Sequence, residues 1–411
     1  MQNPLKDTPV SVCAVLAVAA LVLFVCTYTH VRLGANELSR FITVERLLEA
    51  STFSHDHTPL PRSIDAVMVD GKIYSSKPPT YSLALTLTAW PIRVITGYVV
   101  SEHVRTYMRT LLVVHQVLPY VFLLWLGWRW VRTRTDSEWV QTVFLLGLSF
   151  GCLPYGYAVT LNNHTPTAVF LFCMWWMCGR VLDGMDRPAV GAFVVGLLGG
   201  LAASYELTAG IFTPLFGLVL ARKGFRYGPL VAAGAIFASI PMFATYYAIS
   251  GSAVPFYVRS ELYDYPGSYW RNPQGMDALD EPIWLYAFHA LLGHHGLFSL
   301  SPYLLLGWIG LIWQARQRRW LPASVLLGAL IVIGYILART NNYGGVTLGM
   351  RWFSQFSPLF AVGAFPVLGW MESRTWGRWI CYVLLAVSSA VVFEALLTTM
   401  FSTGGWVYRL L

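Results

Sequence analysis

The residues of this chain that could do chemistry are few, polar and set between long apolar runs. In NELSRFITVERLLEA, residues 36–50, Glu37 stands three positions before Arg40, so on a helix the two share a face. Asn36 is the expected N-cap. Leu38, Phe41, Ile42, Val44, Leu47 and Leu48 mark an apolar face expected to lie on a membrane surface. Glu37 has two readings: an acid complementing the helix dipole, or a group for acid–base catalysis. In DGKIYSSKPPTYS, residues 70–82, Asp70-Gly71 signals a turn and Lys77 precedes two prolines that start a helix at Pro78 or Pro79. A lysine there meets a lipid-linked phosphate or snorkels as an interfacial anchor. Arg105 and Arg109 carry the same two readings. Arg351 follows NNYGG, whose glycines permit close backbone approach, and its forked guanidinium suits a phosphate.

Further along, Asn162, Asn163 and His164 in LNNHTP either cap the helix beginning at Thr165-Pro166, or bind sugar hydroxyls and orient Glu37. Glu206, in SYELTAG, is a carboxylate unusually close to apolar spans and so a functional candidate. His294 and His295 should diverge on a helix, which argues against a two-ligand zinc site made by that pair. His115 reads as a polar contact between helices. The six cysteines all fall in apolar runs, where they act as small hydrophobes rather than as a disulfide framework or CxxC metal site.

The elements that must position these residues follow from composition. Hydrophobic residues make up 56% of the chain and charged ones 12%, against about 25% charged in soluble domains. Runs of roughly 17–25 apolar residues, each able to cross a bilayer, recur from end to end. Spans are expected at 10–29, 108–130, 140–157, 165–182, 189–204, 208–221, 228–249, 297–315, 321–338, 357–371 and 379–399. The first lacks a small-residue cleavage site after it and reads as a retained anchor. Short basic segments at 129–134, 180–187, 222–226, 316–319 and 374–378 belong in the cytoplasm by the positive-inside rule. Residues 81–100 are apolar as well, but Pro91 and Arg93 near their middle make them a re-entrant or surface-lying helix. The expected result is a single all-α domain, 1–411, of eleven spans with its N-terminus inside. A first outer loop covers 30–107 and a second covers 250–296. Tyr257, Tyr263, Tyr265, Tyr269 and Trp270 crowd the second loop as an interfacial belt or a substrate lid. The net charge of +8 sits between spans without interleaved aromatics, so no nucleic-acid partner is expected. No nucleotide-cradling glycine motif is present.

Taken together and in order, NELSR, YSSKPPTYS, LNNHTP, HHGLFSLSP and NNYGGVTLGMRWF resemble the GT-C glycosyltransferases. The similarity is to bacterial members related to dolichyl-phosphate-mannose protein mannosyltransferases and lipid A aminoarabinose transferases, and covers Asn36 to about Phe360. It implies a polytopic enzyme of the bacterial cytoplasmic membrane with its active site outside. Such an enzyme moves a sugar from a polyprenyl-phosphate donor to a protein, lipid or glycan acceptor. It further implies that Glu37 is catalytic and that Lys77 contacts the donor phosphate; Arg351, by its forked guanidinium, and Arg105, by its place at the outer end of the second span, are expected to assist. Arg40, Asn162, Asn163, His164, Glu206, His294 and His295 are the expected substrate-binding residues. The chain departs from the family in having one acid, not a pair, at the loop's start. It also has Asn162, Asn163 and His164 where relatives carry an aspartate. No metal ligands are therefore assigned, and a divalent cation is the one cofactor left open. Two rival readings are an O-antigen ligase or polymerase type of enzyme using the loop 250–296, and a lipid-linked-glycan transporter or flippase. A transporter would place ionisable or helix-breaking groups deep in its spans; here they cluster at span ends.

Overall fold

The structure, a computed structural model, describes residues 9–29 and 33–398; the opening of the expected first loop, 30–32, and both chain ends lie outside the described residues. Seven of the described helices are long and apolar enough to cross a membrane: Val10–Tyr28, Val104–Val131, His164–Leu182, Pro188–Tyr205, Tyr227–Ser250, Trp320–Arg339 and Thr375–Thr398. Shorter apolar helices fall where the sequence placed its other four spans, at Glu138–Ser149, Phe212–Lys223, Leu304–Arg316, and Ser357–Gly363 with Phe365–Glu372. Prolines account for three of these interruptions: Pro154, Pro302 and Pro366 stand at the breaks, where a missing N–H cannot continue the helical ladder. Close packing of Pro188–Tyr205 on Tyr227–Ser250 depends on glycine, since a Cβ on Gly196 would lie 2.0 Å from the Val231 carbonyl oxygen.

Between the first two spans the chain builds a small folded unit. Helix α1 (Val10–Thr29) leads to α2 (Ala35–Ala50), which starts after Gly34 without a side-chain cap. Asn36 is therefore inside the first turn and is not the N-cap. Consecutive residues from Ser39 to Glu45 are buried, so α2 is enclosed by protein rather than lying on a membrane surface. Its enclosure comes from the segment after it. Strands β1 (Ala66–Val69) and β2 (Lys72–Ser75) pair antiparallel, with Val69 opposite Lys72. Asp70 and Gly71 both take positive φ, 47° and 76°, the two-residue turn that matches hairpin twist. Val67 and Val69 pack on Met242, Tyr246, Phe256 and Leu262, which seats the hairpin on one end of Tyr227–Ser250 and on the second loop.

Helix α3 (Pro79–Thr96) begins with Pro79 at its first position, the second of the two starts the sequence allowed. Tyr81, Leu85 and Ala89 are buried with Phe41 and Val44 of α2, whereas Leu87, Trp90, Val94 and Ile95 form an exposed apolar stripe. This helix is not among the seven apolar enough to span, and its Arg93 is paired with Glu49 at 3.0 Å. An apolar stripe of this kind suits a helix lying in the interfacial layer. His115 has its contact on the same helix, 2.8 Å from the Thr88 hydroxyl.

Candidate active site

Glu37 is 1% exposed, and neither carboxylate oxygen has a hydrogen-bond partner among the described residues. A buried carboxylate left unpaired costs several kcal/mol, so such a group marks a place where a ligand belongs. One turn on, Arg40 is equally enclosed. Its Nη1 donates to the Asn36 carbonyl at 3.2 Å and its Nη2 to Asn163 Oδ1 at 2.9 Å. The ring of Tyr81 lies 5.8 Å from the guanidinium, and its phenol stands in the fields of both Arg40 and Glu37.

From Arg40 a continuous set of bonds crosses the site. The Asn163 amide, whose Oδ1 accepts from Arg40, donates through Nδ2 to Glu206 Oε2 and to the Tyr205 carbonyl, both at 2.9 Å. Thr208 Oγ1 donates to Glu206 Oε1 at 3.2 Å and accepts from Gln355 Nε2 at 2.7 Å. His164 Nδ1 lies 3.5 Å from Glu206 Oε2. Burial pushes the Glu206 carboxyl above its ordinary range, against the opposing pull of Asn163, Thr208, Arg40 and Arg351. Asn162 follows the capping reading: its Oδ1 accepts from the Thr165 N–H at 2.9 Å and its Nδ2 donates to the Tyr157 carbonyl at 2.7 Å. Adjacent asparagines thus serve different ends, one holding a helix start and one joining Arg40 to Glu206.

The hairpin delivers Lys77 to the same place. Its side chain is largely enclosed, 11% exposed, rather than snorkelled to a surface, and its Nζ forms an ion pair with Asp65 at 2.9 Å. The Tyr257 ring of the second loop sits 5.5 Å from Nζ. Burial lowers the lysine's proton affinity most, Asp65 raises it, and Arg351 and Arg40 lower it further. Arg351 opens a short helix, with its Nε buried and unpartnered. It lies along Gly344, where φ is +89° and a Cβ would come within 2.9 Å of Arg351 Cγ; this is the close approach expected of NNYGG. Its charge is felt at Lys77, His164 and Glu206. Three cations from three separate elements therefore lie within electrostatic reach of His164, and two of them, Arg40 and Arg351, also of Glu206.

Other expected site residues are placed elsewhere. Arg105 stands exposed on the first turn of Val104–Leu112, outside this buried cluster, while the helix buries Tyr107, Met108, Leu111 and Leu112. His294 and His295 follow the end of helix Ile283–Leu291 instead of lying on a helix, so their rings converge, with Nδ1 atoms 2.5 Å apart. His294 stacks on His289 and His295 on Tyr343, and the His295 carbonyl accepts from Met350 N–H at 3.0 Å. Burial and neighbouring imidazoles hold His295 down to about 3 and His294 to about 4, so both stay neutral near pH 7. They brace the segment that carries Arg351. Among the described residues, no group of three or more His, Cys, Asp or Glu side chains could hold a metal ion. Asp65, Tyr81, Thr208 and Gln355 join the site without having been singled out. A glutamine inside the apolar run RWFSQFSPLF was a usable signal; Asp65, in an ordinary loop, carried none.

Solved structures match this fold over nearly its whole length. The apo oligosaccharyltransferase of Archaeoglobus fulgidus gives a TM-score of 0.54 at 12% identity, covering 96% of this chain and 56% of that one. AglB from the same organism, in complex with an inhibitory peptide and a dolichol-phosphate, gives 0.51 at 11% identity, over 95% and 56%. ArnT from Cupriavidus metallidurans in the apo state gives 0.53 at 11% identity, over 97% and 74%. The chain thus spans little more than half the length of the oligosaccharyltransferase. No protein-family model and no curated protein sequence matches it. The architecture is a helical, polytopic membrane fold of the GT-C type.

Proposed function

We propose that this protein is a glycosyltransferase that moves a sugar from a polyprenyl-phosphate donor to an acceptor at the extracytoplasmic face of a bacterial cytoplasmic membrane. The observation that carries this reading is the gathering of Lys77, Arg40 and Arg351 around His164, with Glu37 buried one turn before Arg40 on α2 and without a hydrogen-bond partner among the described residues. The GT-C fold is in keeping with it, and the solved neighbours include ArnT bound to undecaprenyl phosphate and AglB with a dolichol-phosphate. Glu37 takes the proton from the acceptor nucleophile as that atom attacks the anomeric carbon. The bond from that carbon to the phosphate oxygen breaks on the opposite face, so configuration inverts. The three cations stabilise the charge gathering on the departing polyprenyl phosphate, an electrostatic contribution that is often the largest in catalysis. Asn163 and His164 lie beside this path and are suited to hydrogen bonding with sugar hydroxyls. The acceptor is a protein, lipid or glycan.

General-base assistance is worth roughly 10²–10⁴-fold. Glu37→Gln should lose transfer on that scale while the protein still inserts and folds. The measurement is lipid-linked and surface-glycan profiling of a deletion strain complemented with the variant. Wild-type glycans from that strain would refute the role of Glu37.

A further inference from the structure

Asp65, like Glu206, is a buried acid of the cluster that the scheme above does not use. We propose that Asp65 is a positioning residue for this site, holding the Lys77 ammonium in place as a cation that a donor phosphate can meet. The inference rests on the glycosyltransferase reading for its purpose, though its geometry stands without it.

Asp65 is 5% exposed, and its backbone is clamped on three sides. Its carbonyl accepts from Ser39 Oγ of α2 at 2.6 Å and from the Ser76 N–H at 3.1 Å, while its own N–H donates to Ser63 Oγ at 3.1 Å. The carboxylate is thus fixed between α2 and the end of the hairpin, 2.9 Å from Lys77 Nζ. The charged and titratable groups facing Lys77 come from every element around it. Arg40 lies on α2, Tyr74 on β2, His164 at the head of its span, Tyr246 on Tyr227–Ser250, Tyr257 in the second loop, and Arg351 beyond NNYGG. Two of these are permanent cations. An ammonium enclosed among them is pressed to lose its proton by burial and by like charge together. A neutral amine would offer a phosphate no charge. Asp65 is the anion that opposes this, so its removal shifts Lys77 deprotonation to lower pH, and donor recognition should then be lost as pH rises.

The test uses full-length protein in nanodiscs. The chain has four lysines, Lys6, Lys72, Lys77 and Lys223, so ¹³C-methylation of the lysines gives a simple NMR spectrum in which Lys77→Arg identifies the Lys77 signal. In Asp65→Asn that signal should titrate at lower pH than in wild type, and in Asp65→Glu it should stay near the wild-type midpoint. An unchanged midpoint in Asp65→Asn overturns the proposal. In parallel, kcat/KM for a polyprenyl-phosphate sugar should fall in Asp65→Asn by about tenfold per pH unit above its new midpoint. The double variant Asp65→Asn/Lys77→Arg should lose that alkaline fall, because arginine keeps its proton. An alkaline fall that persists in the double variant also overturns it. Absence of any turnover in wild type would refute the enzymatic reading alone, with the titration still deciding for or against Asp65.

Discussion

Glu37 and Glu206 are both buried acids, yet their surroundings give them different work. Glu37 has no hydrogen-bond partner among the described residues, while Glu206 is held by Asn163 and Thr208 and stands beside His164. This accounts for the amide where the GT-C resemblance leads one to expect an aspartate. The Asn163 side chain must accept from Arg40 and donate to Glu206, and a carboxylate can only accept. Asn163→Asp would set two acids against each other about 3 Å apart, where both cannot ionise. We expect it to destabilise the protein by about 3 kcal/mol near neutral pH, with the loss growing as pH rises and both groups seek to ionise. Asn163→Asp/Glu206→Gln should recover most of that loss, since the glutamine amide then donates to the new carboxylate. Thermal unfolding in detergent across pH gives the comparison, and a double variant no more stable than the single one would contradict it. At this scale the sequence exposed Glu37, Lys77 and Arg351 through their motifs. It left Asp65 hidden, because its significance lies in a partner on another element.

Each cation owes its position to the element beneath it. Lys77 depends on a hairpin whose turn requires positive φ at Asp70 and Gly71, and on prolines that separate the strand from α3. Arg351 depends on a glycine-rich segment that lies along its side chain and is braced by the His295 carbonyl. Two glycines separate backbone strain from steric displacement. Gly344 and Gly251 both have positive φ, but a Cβ on Gly251 would meet nothing within 4 Å. Alanine at either site should cost about 1–2 kcal/mol of stability. Only Gly344→Ala should also raise KM for the donor, by about tenfold, as Arg351 is pushed aside; that factor corresponds to roughly 1.4 kcal/mol of binding. Equal KM values for the two variants would remove the link between this segment and the phosphate. The turn and the proline start were legible locally. The burial of α2 was not, because the residues covering it lie in the hairpin, in α3 and beyond the third expected span.

At the scale of the whole molecule, α3 sets which way the later spans run. Its exposed Leu87, Trp90, Val94 and Ile95 and the pairing of Arg93 with Glu49 suit a helix in the interfacial layer. If α3 does not cross, the segment 129–134 lies in the cytoplasm, and a reporter fused after Thr135 should be active only there. An extracytoplasmic reporter would invert every later loop. Arg129, Arg132, Arg134, Arg180 and Arg374 each fold over a tryptophan four residues earlier, at 4.2–6.0 Å. That is the behaviour of interfacial anchors, and it is consistent with all of them sharing one membrane face. Sequence alone determined the membrane class, the positions of the seven long apolar helices, a helix start at Pro78 or Pro79 and the order of the polar motifs. These follow from local composition, since lipid demands apolar runs of a set length and proline acts on its own neighbours. Only the tertiary structure decided which polar groups share a site. It brought Asp65 to Lys77 and Glu206 to Asn163, and it left Arg105 in the open. Such pairings are contacts between elements far apart in the chain, and no local pattern of residue types encodes them.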